Sequence, residues 1–495
     1  MSALLLELVL RARVSGPPFT SFSLGLTGAY AVEIDESGRR LGSQRFALAG
    51  EPGAADARSF PDEASLLREV VSLVTRIGSL VTAQGRQLEL PVLEALAMRH
   101  AVPLPGQFAA GDPYSARRSP YNLAGHLDLA AFLADGDRRL RGLSPELLLA
   151  LALPGFNPPP RRSFQDDTLA AARSRALGSY LLYLRVQRLR GILAAEDVSA
   201  RLEELGKVVG PEIGEAPGWG QAAISPPATR LDGVEPGLLA LDIETVLDAD
   251  AVARCLGKPS LEDPATALGE LLGAPTDFAP APFHRVVAVA LCHWTPRSGA
   301  VEIERLRVGG ATGAGAPLTD EADLLAAFWR AARGQRLLSY NGKRFDLPVL
   351  LYRSLPHAID VPWYLAPQRP PHEQYRHPQS RRQIDLFDLM SGGLSPGPLA
   401  EALHSVGLPG KLGPDGGNVQ ALWDDGQRDA VGDYCLQDAA QTLLLGLRFL
   451  EVSGELEAED ARVAVEGAQR RFAGEPALAP VLARAGGYFT AGLKR

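Results

Sequence analysis

The chain contains two segments that resemble each other in the same order, and this internal repeat constrains the fold more than any other feature. DEASLL (62–67) matches DEADLL (320–325), and QGRQLELPVL (84–93) matches NGKRFDLPVL (341–350). Three further pairs follow in order: GHLDLAAFL (125–133) with RQIDLFDLM (382–390), GLSPELLLALALPG (142–155) with GLSPGPLAEALHSVGLPG (393–410), and ALGSYLLYL (176–184) with AVGDYCLQD (430–438). Ordered self-similarity of this kind predicts two tandem copies of one domain.

The segment between the copies, residues 209–237, is rich in proline and glycine and has little hydrophobic periodicity. That composition is typical of an extended connector. The sequence therefore predicts one domain over residues 1–208, a linker over 209–237 and a second domain over 238–495.

Each copy has the same coarse pattern of predicted strands and helices. Hairpin strands come first, and strands that alternate with helices follow. This order predicts an α/β domain in which helices flank a mixed sheet. The predicted elements are opening strands (4–10, 238–246), hairpins (19–35, 283–308), amphipathic helices (62–77, 319–334), and a strand that leads directly into the helix containing LPVL.

Composition and charge exclude several classes of protein. Three cysteines without a CxxC pair argue against a disulfide scaffold or a cysteine zinc site, and favour a cytoplasmic protein. The net charge of −8 is unlike that of a protein that coats a polyanion with its whole surface, although a local nucleic-acid groove remains compatible with it. No apolar run reaches membrane-spanning length, so we expect no membrane partner.

Two acids in LALDIET, Asp242 and Glu244, are candidates for metal ligands. Side chains two positions apart on a strand point to the same face, and apolar residues precede this pair. Two neighbouring carboxylates at such a place repel each other unless a cation neutralises them. Solvated acids at a strand end are the alternative.

Two more segments of the second copy contain candidate residues. Asp346 follows a Tyr-Asn-Gly turn at the entry to a helix, where an N-cap is the alternative role. Tyr434 and Asp438 lie four residues apart in a segment with helical periodicity, which places them on one face. A half-buried tyrosine beside a surface aspartate is the alternative for that pair.

As an ordered set, LDIET, NGKRFD and YCLQD resemble the three exonuclease motifs of the proofreading domain of B-family DNA polymerases. That domain is a ribonuclease H-like exonuclease of the tyrosine-containing DEDD (DEDDy) subgroup. The chain is more similar still to stand-alone bacterial proteins described as predicted 3′–5′ exonucleases related to that domain, including the segments QIDLFDLMSGG (383–393) and GLPGKLGPDGGNV (407–419). The resemblance covers about 238–450 and implies that both copies are ribonuclease H-like domains.

The resemblance implies two-metal phosphodiester hydrolysis, in which two Mg²⁺ or Mn²⁺ ions activate water and stabilise the leaving oxygen. Such hard cations prefer carboxylate oxygens. Tyr434 is expected to orient the attacking water or to help deprotonate it, and Asn341 to bond the strand near its 3′ end. Lys411, in a Gly-rich loop, is expected to contact a phosphate, with a solvated loop lysine as the alternative. The ligands that the resemblance implies are Asp242, Glu244 and Asp438 for the first ion, with Asp242 bridging to a second ion that Asp346 holds directly or through water.

Several nearby residues have less specific expectations. Asp385 and Asp388 are placed outside the site, one of them as a helix cap, and Phe345 is expected to pack in the core. The stretch 363–382 mixes arginine with aromatic residues, which favours contact with a single strand, although a surface loop is the alternative.

The first copy lacks part of the acid set. We therefore predict a non-catalytic copy that pairs with the active one, extends a DNA path or recruits a protein partner. The residues aligned with Asp242, Glu244, Asp346, Tyr434 and Asp438 are Glu7, Val9, Glu89, Tyr180 and Leu184.

The sequence as a whole predicts a metal-dependent 3′–5′ exonuclease that acts on single-stranded or frayed 3′ ends of DNA. Two alternatives remain open. One is an inactive nucleic-acid-binding scaffold, and the other is a related hydrolase that acts on RNA or on small nucleotides.

Overall fold

The computed structural model describes most of the chain. The described residues are 3–13, 23–35, 41–51, 55–104, 117, 125–134, 145–153, 167–209, 225–273, 278–366, 369–377, 379–391, 397–412 and 419–491. The chain separates into two compact units, Met1–Ala222 with Asp250–Pro275, and Ala223–Ala249 with Thr276–Arg495.

The first unit contains a mixed sheet and helices. Its strands are β1 (Ala3–Ala12), β2 (Leu24–Ile34), β3 (Leu41–Leu48), β4 (Arg58–Phe60), β5 (Ser79–Thr82) and β6 (His126–Asp128). Its helices are α1 (Glu63–Arg76), α2 (Glu89–His100), α3 (Leu129–Ala134), α4 (Pro145–Ala152), α5 (Leu169–Leu189), α6 (Ala195–Val209), α7 (Ala249–Leu256) and α8 (Pro264–Leu272).

The second unit has the same mixture of elements. Its strands are β7 (Leu238–Leu247), β8 (His284–Trp294), β9 (Val301–Arg307), β10 (Gly310–Ala311), β11 (Pro317–Leu318), β12 (Arg336–Ser339) and β13 (Gln383–Asp385). Its helices are α9 (Glu321–Ala332), α10 (Asp346–Ser354), α11 (Leu386–Met390), α12 (Leu399–Ser405), α13 (Val419–Asp424), α14 (Arg428–Val452), α15 (Ala458–Ala473), α16 (Ala479–Arg484) and α17 (Gly486–Ala491). None of the helices in the described part of the chain is both long and apolar enough to span a bilayer.

The main sheets of the two units have corresponding strand orders. Within the described residues, the second unit has the order β13-β12-β7-β8-β9, and the first has β6-β5-β1-β2-β3 with β4 added at the edge. In the first unit, β1, β2 and β3 form antiparallel pairs, and β5 and β6 run parallel to β1. In the second unit, β7, β8 and β9 form antiparallel pairs, and β12 and β13 run parallel to β7. The prediction of a mixed α/β sheet flanked by helices is confirmed.

The two sheets also correspond residue by residue. The pairing of β1 with β2 shifts register directly after Val9, and the pairing of β7 with β8 shifts directly after Glu244. The parallel pairs give the same correspondence between β1 and β7. Leu4, five residues before Val9, lies opposite Leu80, and Leu239, five residues before Glu244, lies opposite Leu337. Val9 is therefore the structural equivalent of Glu244, and the residue two positions earlier, Glu7, is the equivalent of Asp242.

The turn that follows β5 in the first unit has the same construction as the turn that follows β12 in the second. A Cβ atom added at Gly85 would lie 2.2 Å from the Thr82 hydroxyl, and one at Gly342 would lie 2.5 Å from the Ser339 side chain. No larger residue fits there without moving the strand end. The glycine shared by QGRQLEL and NGKRFDL therefore has a packing reason in each unit.

Three expectations need correction. The sequence predicts a hairpin over 19–35, but residues 24–34 form one continuous strand, β2, which pairs antiparallel with both β1 and β3, so no turn interrupts them. Part of the predicted linker packs on the second unit, where the Glu304 carboxylate accepts the backbone N–H of Arg230 at 2.6 Å. In the stretch 363–382, Tyr364 and Tyr375 are buried and their rings contact each other, so these two rings belong to the core.

Some segments used in the sequence analysis lie outside the described residues. They are 19–22 of the first predicted hairpin, 142–144 and 154–155 of the fourth repeat pair, 210–224 of the linker, 367–368 and 378 of the stretch 363–382, 392–396, and 413–418 of the Gly-rich segment.

A buried ion cluster in the second unit predicts acid sensitivity. Arg353 bonds Glu321 twice, at 2.8 and 2.6 Å, and Asp248 once, at 2.6 Å. Burial alone raises the pKa of Glu321, but Arg353 and His357 lower that pKa to about 2. Because the folded pKa lies below the ordinary value near 4.5, this stabilisation is complete above pH 4.5 and disappears as the pH falls towards 2.

We expect Glu321 to contribute about 3 kcal/mol to the free energy of unfolding at neutral pH, and most of that to be lost at the acid end. Urea unfolding between pH 3 and pH 7 measures it. A Glu321→Gln variant is expected to be less stable at pH 7 and to have a shallower dependence on pH. An identical acid dependence in both proteins contradicts the assignment.

Candidate active site

The second unit brings together residues from the first strand and the longest helix. Asp242 and Glu244 lie on β7, and Asp438 lies on α14, which packs against β7 and β8. One carboxylate oxygen from each of these three residues lies within 4.8 Å of the others. The register shift after Glu244 locally twists the strand, and such bulges often re-aim side chains at functional sites.

Asp346 approaches the same strand from the turn before α10. It is the first residue of that helix and does not cap it, because the N-cap position is Phe345 and has no side-chain cap bond. Burial raises the pKa of the Asp346 carboxyl to about 7, and the backbone N–H groups of Asp346 and Ile243 oppose the rise. Since Ile243 lies between Asp242 and Glu244, this interaction places the Asp346 carboxylate beside β7.

The acids form a largely buried cluster of like charge, of which Asp242 is the partly exposed member. Glu244, Asp346 and Asp438 are 9%, 7% and 3% exposed. Burial and the charges of Asp438 and Glu244 raise the pKa of Asp242 well above its ordinary value, and burial and Asp438 do the same for Glu244. Burial also raises the pKa of Asp438, to about 6, although Lys411 acts against it. Ionised together, these groups are unstable without a cation.

Two oxygens of the cluster lack partners in the described part of the chain. Asp242 Oδ2 and Asp438 Oδ1 are shielded from water and accept no hydrogen bond there. Buried carboxylate oxygens are ordinarily satisfied by a donor or by a metal ion. The donor set is made only of oxygens, which suits Mg²⁺ or Mn²⁺. The residues present therefore fit divalent cations.

Lys411 and Tyr434 border the acids. The Lys411 ammonium lies 3.8 Å from Asp438 Oδ2 and 5.3 Å from the centroid of the Tyr434 ring. Burial and the charge of Asp438 raise the pKa of the Tyr434 phenol, so the neutral phenol is the form present at physiological pH. The structure thus places Lys411 and Tyr434 together at the acid cluster.

The turn between β12 and α10 is held by Asp385. Its carboxylate accepts the backbone N–H groups of Asn341 and Lys343, each at 2.8 Å, and also caps α11. In the first unit Asp128 likewise accepts a backbone N–H of the equivalent turn, from Arg86 at 2.8 Å. Because both units contain this device, Asp385 has a structural role, and the expectation that one of the two acids caps a helix is confirmed.

The other residues predicted near this turn have mixed outcomes. Asn341 has a φ of 66°, a backbone conformation that asparagine tolerates better than most residues, so the turn alone explains its identity. Its contact with a substrate strand stays a prediction. Asp388 bonds Arg344 at 2.8 Å. Phe345 is only partly buried, and its ring lies 5.0 Å from each of the rings of Phe278 and His284.

Sequence reasoning did not identify two other neighbours of the acids. The Cys435 thiol donates to the backbone carbonyl of Asp242 at 3.2 Å. His284 Nδ1 lies 2.8 Å from the hydroxyl of Thr245, the residue after Glu244. No local signal could identify either one, because both contacts join segments that are distant in sequence.

The equivalent place in the first unit contains a cation from the chain itself. Arg175, which is fully buried, lies 3.4 Å from Glu7 and 2.9 Å from Asp167, and the Ser179 hydroxyl donates to Glu7 at 3.3 Å. The helix face that meets β1 therefore carries Arg175 and Ser179.

This face differs from the one that the sequence alignment predicted. Tyr180 follows Ser179 and therefore lies about 100° further round the helix, where its ring contacts that of Tyr183. Helix α5 begins after Thr168 and helix α14 begins after Gln427, and superposing these two starts aligns Arg175 with Tyr434. The sequence alignment, which pairs Tyr180 with Tyr434, differs from this structural alignment by five residues.

Residues 276–476 match a family described as predicted 3′–5′ exonucleases related to the exonuclease domain of PolB. The match includes Asp346, Tyr434 and Asp438. It begins after β7, so Asp242 and Glu244 precede it. No curated protein matches the chain. The family description supports a nuclease, and such enzymes act on nucleic acid.

Proposed function

We propose that the second unit is a metal-dependent 3′–5′ exonuclease that hydrolyses phosphodiester bonds of DNA at single-stranded or frayed 3′ ends. The observation that carries the proposal is the convergence of Asp242, Glu244 and Asp438, whose ligand oxygens lie within 4.8 Å of one another. The family matched by residues 276–476 supports the same reaction.

The charge of the site supports two divalent cations. Four carboxylates and one lysine leave a net negative charge, which repels a phosphodiester unless cations outweigh it. Two bound Mg²⁺ or Mn²⁺ ions supply Lewis acidity for the attacking water and for the leaving oxygen. Asp242, Glu244 and Asp438 are suited to hold one ion, and Asp346 and Asp242 to hold the other.

The protein's own residues then orient the reactants. The neutral phenol of Tyr434 can hydrogen-bond the attacking water and hold it in position. Because its pKa is raised, Tyr434 is better suited to this role than to that of a general base. Lys411 offsets the charge of Asp438 and can bond a phosphate oxygen at the same edge of the site. Asn341, in the turn before Asp346, is proposed to bond the strand near its 3′ end.

We further propose that the first unit is a degenerate copy of the same ribonuclease H-like domain. The matching strand order and the matching register shift support a common origin. Val9 replaces a required acid, and Arg175 neutralises Glu7 in the place where the second unit has a metal-binding set. Such a copy cannot hold two metal ions, and a contact with DNA or with a protein partner is its proposed role.

The decisive experiment offers 5′-labelled and 3′-labelled single strands of DNA and of RNA to the full chain, with Mn²⁺, Mg²⁺ or a chelator. We expect a DNA ladder that shortens from the 3′ end only with metal, and weaker cleavage of RNA.

The matched control is Glu89→Gln, because Glu89 occupies the position of Asp346 in the first unit. This variant is expected to retain the activity of the wild type. Binding of strands without cleavage under every condition favours an inactive scaffold, and a preference for RNA overturns the proposed substrate. Loss of activity in a folded Glu89→Gln protein contradicts the degenerate-copy proposal.

A further inference from the structure

His284, at the start of β8, is placed between the two acid-bearing segments of the second unit. It is 7% exposed. Its Nε2 lies 2.8 Å from the carbonyl oxygen of Ala279, which can only accept, so Nε2 carries the hydrogen. Its Nδ1 lies 2.8 Å from the Thr245 hydroxyl. These two bonds fix both the position and the orientation of the ring.

The two neighbours of this ring are adjacent in sequence to candidate ligands. Thr245 follows Glu244 directly, at the point where the register of β7 and β8 shifts. Phe345 precedes Asp346 directly, and its ring meets His284 edge to face at a centroid distance of 5.0 Å. One imidazole therefore contacts the neighbours of Glu244 and of Asp346, which belong to different segments.

The first unit shows what these positions contain when the acids are incomplete. Leu10 is the first residue after the register shift in β1, as Thr245 is in β7. Two residues later in each strand, Ala12 pairs with Leu24 and Leu247 pairs with His284, so Leu24 is the equivalent of His284. Leu88 precedes Glu89 with φ and ψ of −125° and −68°, close to the −132° and −69° of Phe345. The polar pair and its aromatic neighbour are thus all leucine there.

Another histidine of the repeat behaves differently. His357 bonds Glu321 at 3.2 Å in the second unit, and His100 bonds Glu63 at 2.5 Å at the corresponding place in the first. A device found in both units serves the fold, whereas the His284–Thr245 bond occurs only beside the complete acid set.

We propose that His284 is a positioning residue for the acid cluster, which fixes Glu244 and Asp346 relative to each other through Thr245 and Phe345. The inference rests on the proposed metal-dependent function of this site. Residues that orient ligands in this way typically change metal affinity or activity by about 10- to 100-fold when they are replaced.

The test measures Mn²⁺ binding to the full chain by calorimetry, without nucleic acid. His284→Leu introduces the side chain found at the equivalent place in the first unit, and Thr245→Val replaces the hydroxyl by a methyl group of similar size. Each is expected to weaken Mn²⁺ binding by about 10- to 100-fold. The double variant is expected to bind Mn²⁺ no more weakly than the worse single variant, because both substitutions remove the same hydrogen bond between His284 and Thr245. Thr245→Ser is expected to restore affinity close to that of the wild type.

The control is His357→Leu, which is expected to lower the melting temperature and leave the Mn²⁺ affinity unchanged. Unchanged Mn²⁺ affinity in Thr245→Val, or losses in the two single variants that simply add, overturn the inference. Nuclease assays on the same proteins separate the two proposals. If the wild type binds Mn²⁺, the two variants bind it more weakly, and no DNA is cleaved, only the nuclease proposal is contradicted. If the wild type cleaves DNA and both variants bind Mn²⁺ as tightly as the wild type, only the role of His284 is contradicted.

Discussion

Replacing Asp242 by Asn is expected to stabilise the metal-free protein and to abolish its metal-dependent nuclease activity. Asp242 is partly buried, with its Oδ2 shielded from water, and burial together with the charges of Asp438 and Glu244 raises its pKa. Removing one of several mutually repelling carboxylates relieves that repulsion, by about 1–3 kcal/mol. The same change removes a carboxylate that is proposed to help hold both ions, so we expect activity to fall by at least about 10³-fold.

Thermal unfolding with and without Mn²⁺ measures the first effect. Binding to the folded state raises the melting temperature of the wild type, and this increase is expected to vanish in Asp242→Asn. Asp388→Asn is the matched control, because Asp388 is paired with Arg344 outside the cluster. Its Mn²⁺ response is expected to equal that of the wild type. A metal-free Asp242→Asn protein that melts lower, and that still gains stability from Mn²⁺, contradicts the metal site.

Replacing Arg175 by Met is expected to destabilise the first unit by about 3–5 kcal/mol, since it removes a buried cation from beside the buried carboxylates of Glu7 and Asp167. The side chain of Arg175 is completely buried, so water cannot compensate for the loss. Urea unfolding measures the change. Adding Glu7→Leu and Asp167→Asn to the same protein is expected to recover most of the stability, because no uncompensated charge then remains.

The control for Arg175 is Lys207→Met, which removes a cation that is 72% exposed and paired with Glu204. We expect a change below about 0.5 kcal/mol there, as for most exposed ion pairs. Equal effects of the two substitutions rule out Arg175 as an internal counter-ion. Recovery of stability by Mn²⁺ in Arg175→Met, at concentrations that have no effect on the wild type, would show that the first unit retains a latent cation site.

The candidate ligands were predictable from the sequence because each occurs in a local pattern with its own physical reason. Asp242 and Glu244 follow the strand period of two, and Tyr434 and Asp438 follow the helical spacing of four. The role of Asp346 was ambiguous locally, since an N-cap explains an aspartate at a helix entry equally well. The absence of a cap bond and the approach to Ile243 favour the ligand over the cap.

The supporting contacts could not be predicted in this way. His284 occurs in an ordinary apolar strand, and its relation to Thr245 depends on a register shift between β7 and β8. Arg175 lies in a segment with several other arginines, and nothing in the local sequence distinguishes it from a residue on a solvated helix face. A register and a helix face are each decided by packing against a partner that the local sequence does not specify.

The amino-acid sequence by itself determined the mixed α/β class and identified the candidate acids, because short-range periodicity and residue chemistry are visible in consecutive positions. Only the tertiary structure decided which helix face meets the first strand. An offset of five residues turns a helix by about 140°, so the alignment that pairs Tyr180 with Tyr434 selects a different face from the one that packing selects. The buried side chain at that face is Arg175, and its charge distinguishes a closed site from one that fits divalent cations.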